Sequence, residues 1–318
     1  MIYLHYLLAF AILFILEIIY FRIAHHYNII DRPNERSSHT RVTLRGGGVV
    51  FYLGALLHFV SSGGTYPWFM LALTMVTVMS FADDVHTRSR GLRFMVQLVA
   101  MLLMFYQFGL YTLPWWWIAV ALFFCTGTLN AYNFMDGING ITGGYSLVVL
   151  LAMIYADHRV VAFVDADFLY TVVCAVLVFA FFNFRKRAKC FAGDVGSVSI
   201  AFILLFLLGR LAIATNDISW IVLLAVYGVD ATLTLVHRLL LHEDVALPHR
   251  KHAYQLMANE LRIPHTVVSL IYMALQALVN VGYFYFEVNG YIYLVSVIAV
   301  LSLAYLLFMK KYFHLHKG

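Results

Sequence analysis

Apolar residues run on for about 17 to 23 positions at a time along this chain, at 2–21, 47–63, 66–82, 93–111, 114–130, 138–156, 166–184, 196–213, 218–237, 266–286 and 290–309. Each window is continuously apolar, so it lacks both the two-residue alternation of a barrel strand and the single stripe of a surface helix. About 20 such residues, each rising about 1.5 Å, cross the hydrocarbon of a bilayer. The pattern predicts an all-α polytopic integral membrane protein with about 11 transmembrane helices. No internal repeat, inverted hydropathy symmetry or low-complexity tract interrupts it, so a single integral membrane domain over 1–318 is the simplest organisation. The second and third windows are split only by SSGGTYP. The first has neither a basic leading region nor a small-residue cleavage site, and is expected to stay as a helix rather than be removed as a signal peptide.

Composition agrees with a chain whose main partner is the lipid bilayer. Of 318 residues, 63% are hydrophobic and 12% charged, and no nucleic-acid partner is expected. Cys125, Cys174 and Cys190 have no metal-ligand spacing, which argues against both a disulfide framework and a zinc site. Charge changes the picture more. If the windows cross alternately, one set of connections holds 19 of the 21 Lys and Arg residues, and the other only Arg159 and Arg210. Basic loops stay in the cytoplasm, which places the N-terminus outside and the C-terminus inside.

The unusual chemistry sorts to the same side. The inward connections read DRPNERSSHTRVTLRGGG, FADDVHTRSRG, NAYNFMDGING, NFRKRAKCFAGDVGS and HEDVALPHRKHAYQ, whereas the outward ones are plain: SSGGTYP, YTLP, ADHRVVAFVDAD, TND and FEVNG. A transporter should hold polar residues at the bilayer midplane and on both sides, so the pattern suits an enzyme with a cytosolic active site better than a transporter or flippase for a lipid-linked sugar.

Within those connections Asp83, Asp84, Asp136 and Asp194 each stand at the cytoplasmic end of a window, beside basic residues. Carboxylates and amides held near cations are what a Mg²⁺–phosphate site needs, because the hard cation takes one or two protein oxygens and the rest from phosphate and water. Each piece alone also has a plainer reading. Asp83-Asp84 is equally a solvated helix end. GDVGS (193–197) is equally an ordinary helix N-cap, and RGGG (45–48) a tight helix entry. PHRKHAYQ (248–255) is equally a contact for lipid headgroups.

Taken together, FADDVHTRSRGLRFMVQ, NAYNFMDGINGITGG, FAGDVGSVSIAF and HRKHAYQ, in this order and spacing, resemble the polyprenyl-phosphate N-acetylhexosamine-1-phosphate transferase family. DRPNERSSHTRVTLRGGG resembles its first cytoplasmic loop, so the likeness covers about residues 30 to 257. It implies that undecaprenyl phosphate attacks the sugar-bearing phosphorus of a UDP-N-acetylhexosamine and releases UMP, at the cytoplasmic face of the bacterial inner membrane and with Mg²⁺ (or Mn²⁺) as cofactor. A homodimer is compatible with it. Residue by residue, Asn133 and Asp194 resemble the metal ligands, and Asp136 a carboxylate orienting the metal shell or nucleotide. Asp83, supported by Asp84, would accept a proton from the lipid phosphate, although a phosphate monoester is already largely ionised at neutral pH, with a second pKa of about 6. Phe191 resembles an aromatic that stacks on uracil, and Asn183 a uracil-contacting amide. Lys189, His249, Arg250 and His252 would meet the diphosphate and sugar, with Asn130 and Asn139 supplying neutral oxygens. There are departures: Asn139 replaces the second carboxylate of the family's usual DGxDG, Ala192 and Arg187 are atypical before GD, and the first loop lacks the usual prolines. HRKHAYQ resembles the O-antigen and capsule initiators that use UDP-GlcNAc, UDP-FucNAc or UDP-QuiNAc.

Other polar residues carry no assignment. Glu17 and Asp230 are intramembrane carboxylates, equally read as functional or as snorkelling to the interface. Trp115, Trp116 and Trp117 read as an interfacial belt, and His25, His26, His314 and His316 as interfacial. A non-catalytic scaffold is the remaining alternative, and the intact Asn133, Asp136 and Asp194 speak against it.

Overall fold

The computed structural model describes residues 2–33, 41–244 and 249–315; residues 34–40 of the first inward loop, Pro248 and His316 lie outside them. In chain order it contains α1 (Ile2–His26), β1 (Ile30–Asp31), β2 (Thr43–Leu44), α2 (Val49–Ser61), α3 (Pro67–Val85), α4 (Arg90–Phe108), α5 (Trp115–Met135), α6 (Ile141–Arg159), α7 (Ala166–Asn183), α8 (Gly193–Thr215), α9 (Ala225–Leu240), the single turn α10 (Ala253–Gln255), α11 (His265–Tyr285) and α12 (Gly290–Tyr312). Among the described residues ten helices are long and apolar enough to cross a bilayer, and the protein is a multi-pass α-helical membrane protein.

The boundaries follow local chemistry. Ser89, Asp165 and Asn289 accept N–H groups of the first turns of α4, α7 and α12, and Pro67 opens α3 where a missing N–H costs nothing. Gly109 ends α4 in the left-handed region at φ 72°. The second apolar window departs from expectation. Instead of a full span it forms a 13-residue helix, α2, because Gly46 turns at φ +82° before it and SSGGTYP closes it. Even so, α2 carries the chain between the two ends of the bundle. Gly47 and Gly48, just before it, bond to Phe191 and Ala192, while His58 near its far end lies 3.6 Å from Asp165, the N-cap of α7. The two-residue ends of the first inward loop also pair: Ile30 with Leu44 and Asp31 with Thr43, a minimal antiparallel ladder among the described residues of a mainly helical fold.

Helix α8 runs through the centre, its side chains from Val198 to Leu208 almost all buried. Phe69 of α3 stacks on Phe206 of α8 with ring centroids 4.0 Å apart. Lipid is as apolar as these side chains, so tight packing and hydrogen bonds hold such helices together rather than hydrophobic exclusion. Two devices do this here. Small residues let backbones meet: a Cβ on Gly48 would lie 2.3 Å from the Gly196 Cα, and one on Gly54 2.8 Å from the Ala175 Cβ. A buried polar knot joins α6, α9 and α11, where Tyr145 donates to Gln276 Oε1 at 2.6 Å and Gln276 Nε2 donates to Asn280 Oδ1 at 2.7 Å.

Gly48→Ala and Gly196→Ala should each cost about 1–3 kcal/mol by overpacking, read as a lower thermal midpoint in detergent. Gly127→Ala, with nothing within 4 Å of the added methyl, should leave the midpoint unchanged or slightly higher.

Candidate active site

Three glycines let the first inward loop lie directly on the segment before α8. Gly47 N donates to Phe191 O at 2.9 Å, Gly48 N to Ala192 O at 3.1 Å, and Phe191 N to Leu44 O at 2.8 Å. A side chain on Gly47 would collide with the Cys190 Sγ, 2.5 Å from its Cβ. This zipper fixes Arg45, whose carbonyl also accepts the Tyr20 hydroxyl at 2.6 Å.

Arg45 reaches back to α3 and α8. Its Nε lies 2.6 Å from Asp84 Oδ1 and its Nη2 3.3 Å from Asp194 Oδ1. Asp84 is fully buried and caps α8 from outside that helix, accepting Asp194 N at 3.0 Å and Val195 N at 2.9 Å. The missing Cβ of Gly193, whose φ is +71°, makes room for it: a Cβ there would lie 2.6 Å from Asp84 Oδ2. Asp83, its neighbour, turns the other way and accepts Arg88 N at 2.6 Å and Arg93 Nη1 at 2.7 Å. Arg93 Nη2 then approaches Asp194 Oδ2 at 3.3 Å. Asp194 therefore stands between two arginines, each anchored by one of the paired aspartates of α3.

In front of this network opens a polar cleft of about 200 Å³, lined among others by Arg45, Asn133, Asp136, Asn139, Asn183 and Asp194. Asn133 and Asp136 come from the last turn and C-cap of α5. Asp136 is half-buried and Oδ1 accepts the Thr142 hydroxyl at 2.7 Å. Burial pushes its carboxyl up to about 7; the Asp194 and Asp84 charges act in the same direction, and the Thr142 hydrogen bond and Arg45 oppose them. Asn139 and Asn183 brace the walls. Asn139 Nδ2 donates to Arg185 O at 2.9 Å, while Asn183 accepts Gly140 N at 2.7 Å and donates to Cys190 O at 2.8 Å. Much of the bonding capacity of Asn183 is thus spent on joining three loops.

Phe191 lines the cleft, as do Asp31, Gln255 and His265, which the sequence did not single out. Gln255 ends the quoted HRKHAYQ and Asp31 opens DRPN, so both were within reach. His265 had no signal beyond its place at a helix start. Arg93 likewise stood unremarked inside GLRFMVQ. Other expected residues stand outside this lining. Asn130 bonds back to Thr126 O in its own helix at 2.9 Å. Lys189 is exposed in a separate groove with His25, Asn28 and Thr43. His249 packs against Phe134 and His252, with ring centroids 6.2 and 4.9 Å away; burial, with His252 and Arg238 nearby, pushes its imidazole down to about 3. Arg250 is not in the lining, and His252 is buried against Asp230. Glu17 and Asp230 do not snorkel: both are buried, at 0% and 3% exposure.

The donors Asn133, Asp136 and Asp194 present only oxygen and amide groups to one cleft, which suits a hard divalent cation. Among the described residues no three His, Cys, Asp or Glu side chains converge on a ready-made metal site.

The chain is similar to known proteins. Residues 66–213 match the family model for glycosyl transferase family 4. A probable undecaprenyl-phosphate N-acetylglucosaminyl 1-phosphate transferase of Bacillus subtilis is 27% identical over 74% of this chain and 72% of its own length. Undecaprenyl-phosphate alpha-N-acetylglucosaminyl 1-phosphate transferases of Yersinia pestis and Escherichia coli K12 are each 25% identical, covering 87% and 82% of this chain and 81% and 77% of theirs.

Asp84→Ala would uncap α8 and leave Arg45, a third exposed, with Asp194 as its remaining ion-pair partner in this network. Losing the cap and a partly buried charged hydrogen bond should cost about 1–3 kcal/mol, so the variant should show a lower unfolding midpoint in detergent even without substrates.

Proposed function

We propose that this member of glycosyl transferase family 4, a phosphotransferase, moves an N-acetylhexosamine 1-phosphate from a UDP-sugar to undecaprenyl phosphate, releases UMP and so initiates a lipid-linked surface glycan. The observation that carries this reading is the convergence of Asn133, Asp136, Asp194 and Arg45 on one cleft, with Asp83, Asp84 and Arg93 directly behind it. All seven lie at the end of the bundle that collects the Lys- and Arg-rich connections. Basic loops remain cytoplasmic, so the cleft faces the cytosol of a bacterial inner-membrane protein whose N-terminus lies outside and whose C-terminus lies inside.

The two substrates reach this place by different routes. The nucleotide sugar enters from water, with Phe191 and Asn183 on the wall assigned to uracil. The lipid arrives sideways. Two apolar grooves, of about 290 and 480 Å³, share Phe124, Ile221 and Leu294 and extend from Tyr132, beside Asn133, towards Leu113 and Trp117. A polyprenyl chain laid there would keep its phosphate beside the cleft.

Bonds of similar energy are broken and made, so the protein's work is to bring two anions together and balance their charge. Asn133 and Asp194 would hold a Mg²⁺ or Mn²⁺ ion, which neutralises phosphoryl oxygens when bound. Arg45 and Arg93, partly buried beside Asp194, are placed to hold the remaining phosphoryl oxygens. Asp83, gripped by Arg93 and by Arg88 N, positions that arginine, and a largely ionised phosphate monoester needs little help in losing a proton.

Incubating the purified protein with undecaprenyl phosphate, Mg²⁺ and a panel of UDP-N-acetylhexosamines should release UMP with at least one donor; no UMP from any of them refutes the reading. Asp194→Asn should abolish turnover while leaving the unfolding midpoint close to wild type, and unchanged turnover would refute the metal assignment. Asp136 adds a pH dependence. Its folded carboxyl sits at about 7, above the ordinary carboxylate value of roughly 4. Its stabilising contribution in the ion-free protein is therefore complete at acid pH and lost as pH rises through about 7. A hard cation requires the ionised form, so apparent Mg²⁺ affinity should rise over the same interval. Melting in EDTA and Mg²⁺ titration on either side of neutrality test both directions.

A further inference from the structure

One buried carboxylate outside the cleft organises the HRKHAYQ segment. Asp230 of α9 is 3% exposed, and its two oxygens face groups from three places. Oδ1 accepts Thr234 Oγ1 and Ala253 N, each at 3.1 Å, and lies 3.4 Å from His252 Nδ1. Oδ2 accepts the Tyr272 hydroxyl of α11 at 2.6 Å. The carboxylate thus ties the 252–253 backbone to two helices and takes one nitrogen of the His252 ring.

The other nitrogen is what gives this arrangement a use. His252 is 2% exposed, and its Nε2 is buried with no hydrogen-bond partner among the described residues. Buried polar atoms are nearly always paired, so one that is not calls for an explanation, a catalytic role among them. The ring sits beside the cleft. Phe134, next to Asn133, is 6.4 Å from it between centroids, and His252 N donates to Oε1 of Gln255, which lines the cleft. Tyr254 closes the same corner by donating to Phe134 O at 2.8 Å. A carboxylate on one imidazole nitrogen sets the tautomer and the plane of the ring, and so decides what the far nitrogen can do.

We propose that Asp230 is a positioning residue for sugar transfer: it holds His252 with Nδ1–H towards itself, so that Nε2, buried just behind the cleft wall, accepts a hydrogen bond from a hydroxyl or N–H of the donor sugar when the 249–252 segment shifts to admit it. This rests on the transferase reading above. Asp230 does not touch substrate and acts only through His252.

The experiment is a double-mutant cycle on the full-length protein in detergent, measuring UMP release. Asp230→Asn and His252→Gln should each lower kcat/KM for the UDP-sugar by about 10–100-fold and leave KM for undecaprenyl phosphate unchanged. The double variant should be no worse than the poorer single one. Multiplying effects, an equal rise in the lipid KM, or an Asp230→Asn enzyme as active as wild type would each overturn the proposal. Should Asp230→Asn fail to fold, Tyr272→Phe loosens the same carboxylate without removing it. Its loss must then disappear in the His252→Gln background, and a loss that persists there overturns the proposal. A wild-type protein that releases no UMP refutes the transferase reading itself, whereas active wild type with uncoupled variants refutes only the role of Asp230.

Discussion

The carboxylate of Asp84 meets the leading N–H groups of α8 and the guanidinium of Arg45 in one buried spot at the polar end of the bundle. A helix N-terminus carries unpaired donors and about half a positive charge. Left unpaired at the edge of a membrane, it would be expensive, and so would an isolated arginine. One anion from α3 satisfies both, which draws three separate parts of the chain together. It also relieves Asp194 of capping. In GDVGS the obvious use of that side chain is to cap its own helix. With Asp84 performing the capping from across the bundle, both oxygens of Asp194 are released towards Arg45, Arg93 and the cleft.

The cleft is already organised by ion pairs. Arg45 and Arg93, each about a third exposed, are held by aspartates, so an anion taking the place of those partners would require little reorganisation. The neutral amides do a different job. Asn139 and Asn183 bond chiefly to backbone and keep the DGING loop, the end of α7 and the strand before α8 in register. An amide can serve in this way without adding to the charge already gathered there.

Much of this was legible in the sequence. Hydropathy located every long helix, because a bilayer imposes length and apolarity with few exceptions. It misjudged α2, since a window of apolar residues does not register a left-handed Gly46 or the loop that ends the helix early. The motifs brought Asn133, Asp136, Asp194 and Phe191 to one place. They did not divide the labour of Asp83 and Asp84, which are adjacent in sequence but about 100° apart around a helix, so that one reaches α8 and the other Arg93. Nor did they separate Lys189 from the cleft, or reveal His265, because a groove boundary and a first helical residue have no composition of their own. Asp230 looked like either a functional or a snorkelling carboxylate until its four partners were in view.

The short α2 has a bearing on the surrounding lipid. Thirteen residues extend roughly 20 Å, against a hydrocarbon thickness of about 30 Å. Its far end is nonetheless level with the N-cap of α7, where His58 lies 3.6 Å from Asp165, so the helix reaches that end of the bundle. The remaining distance is covered at the other end by the non-helical Gly46–Gly48 backbone, whose N–H groups bond to Phe191 and Ala192. Irregular backbone of this kind is tolerated at the depth of a bilayer only where protein rather than lipid satisfies it.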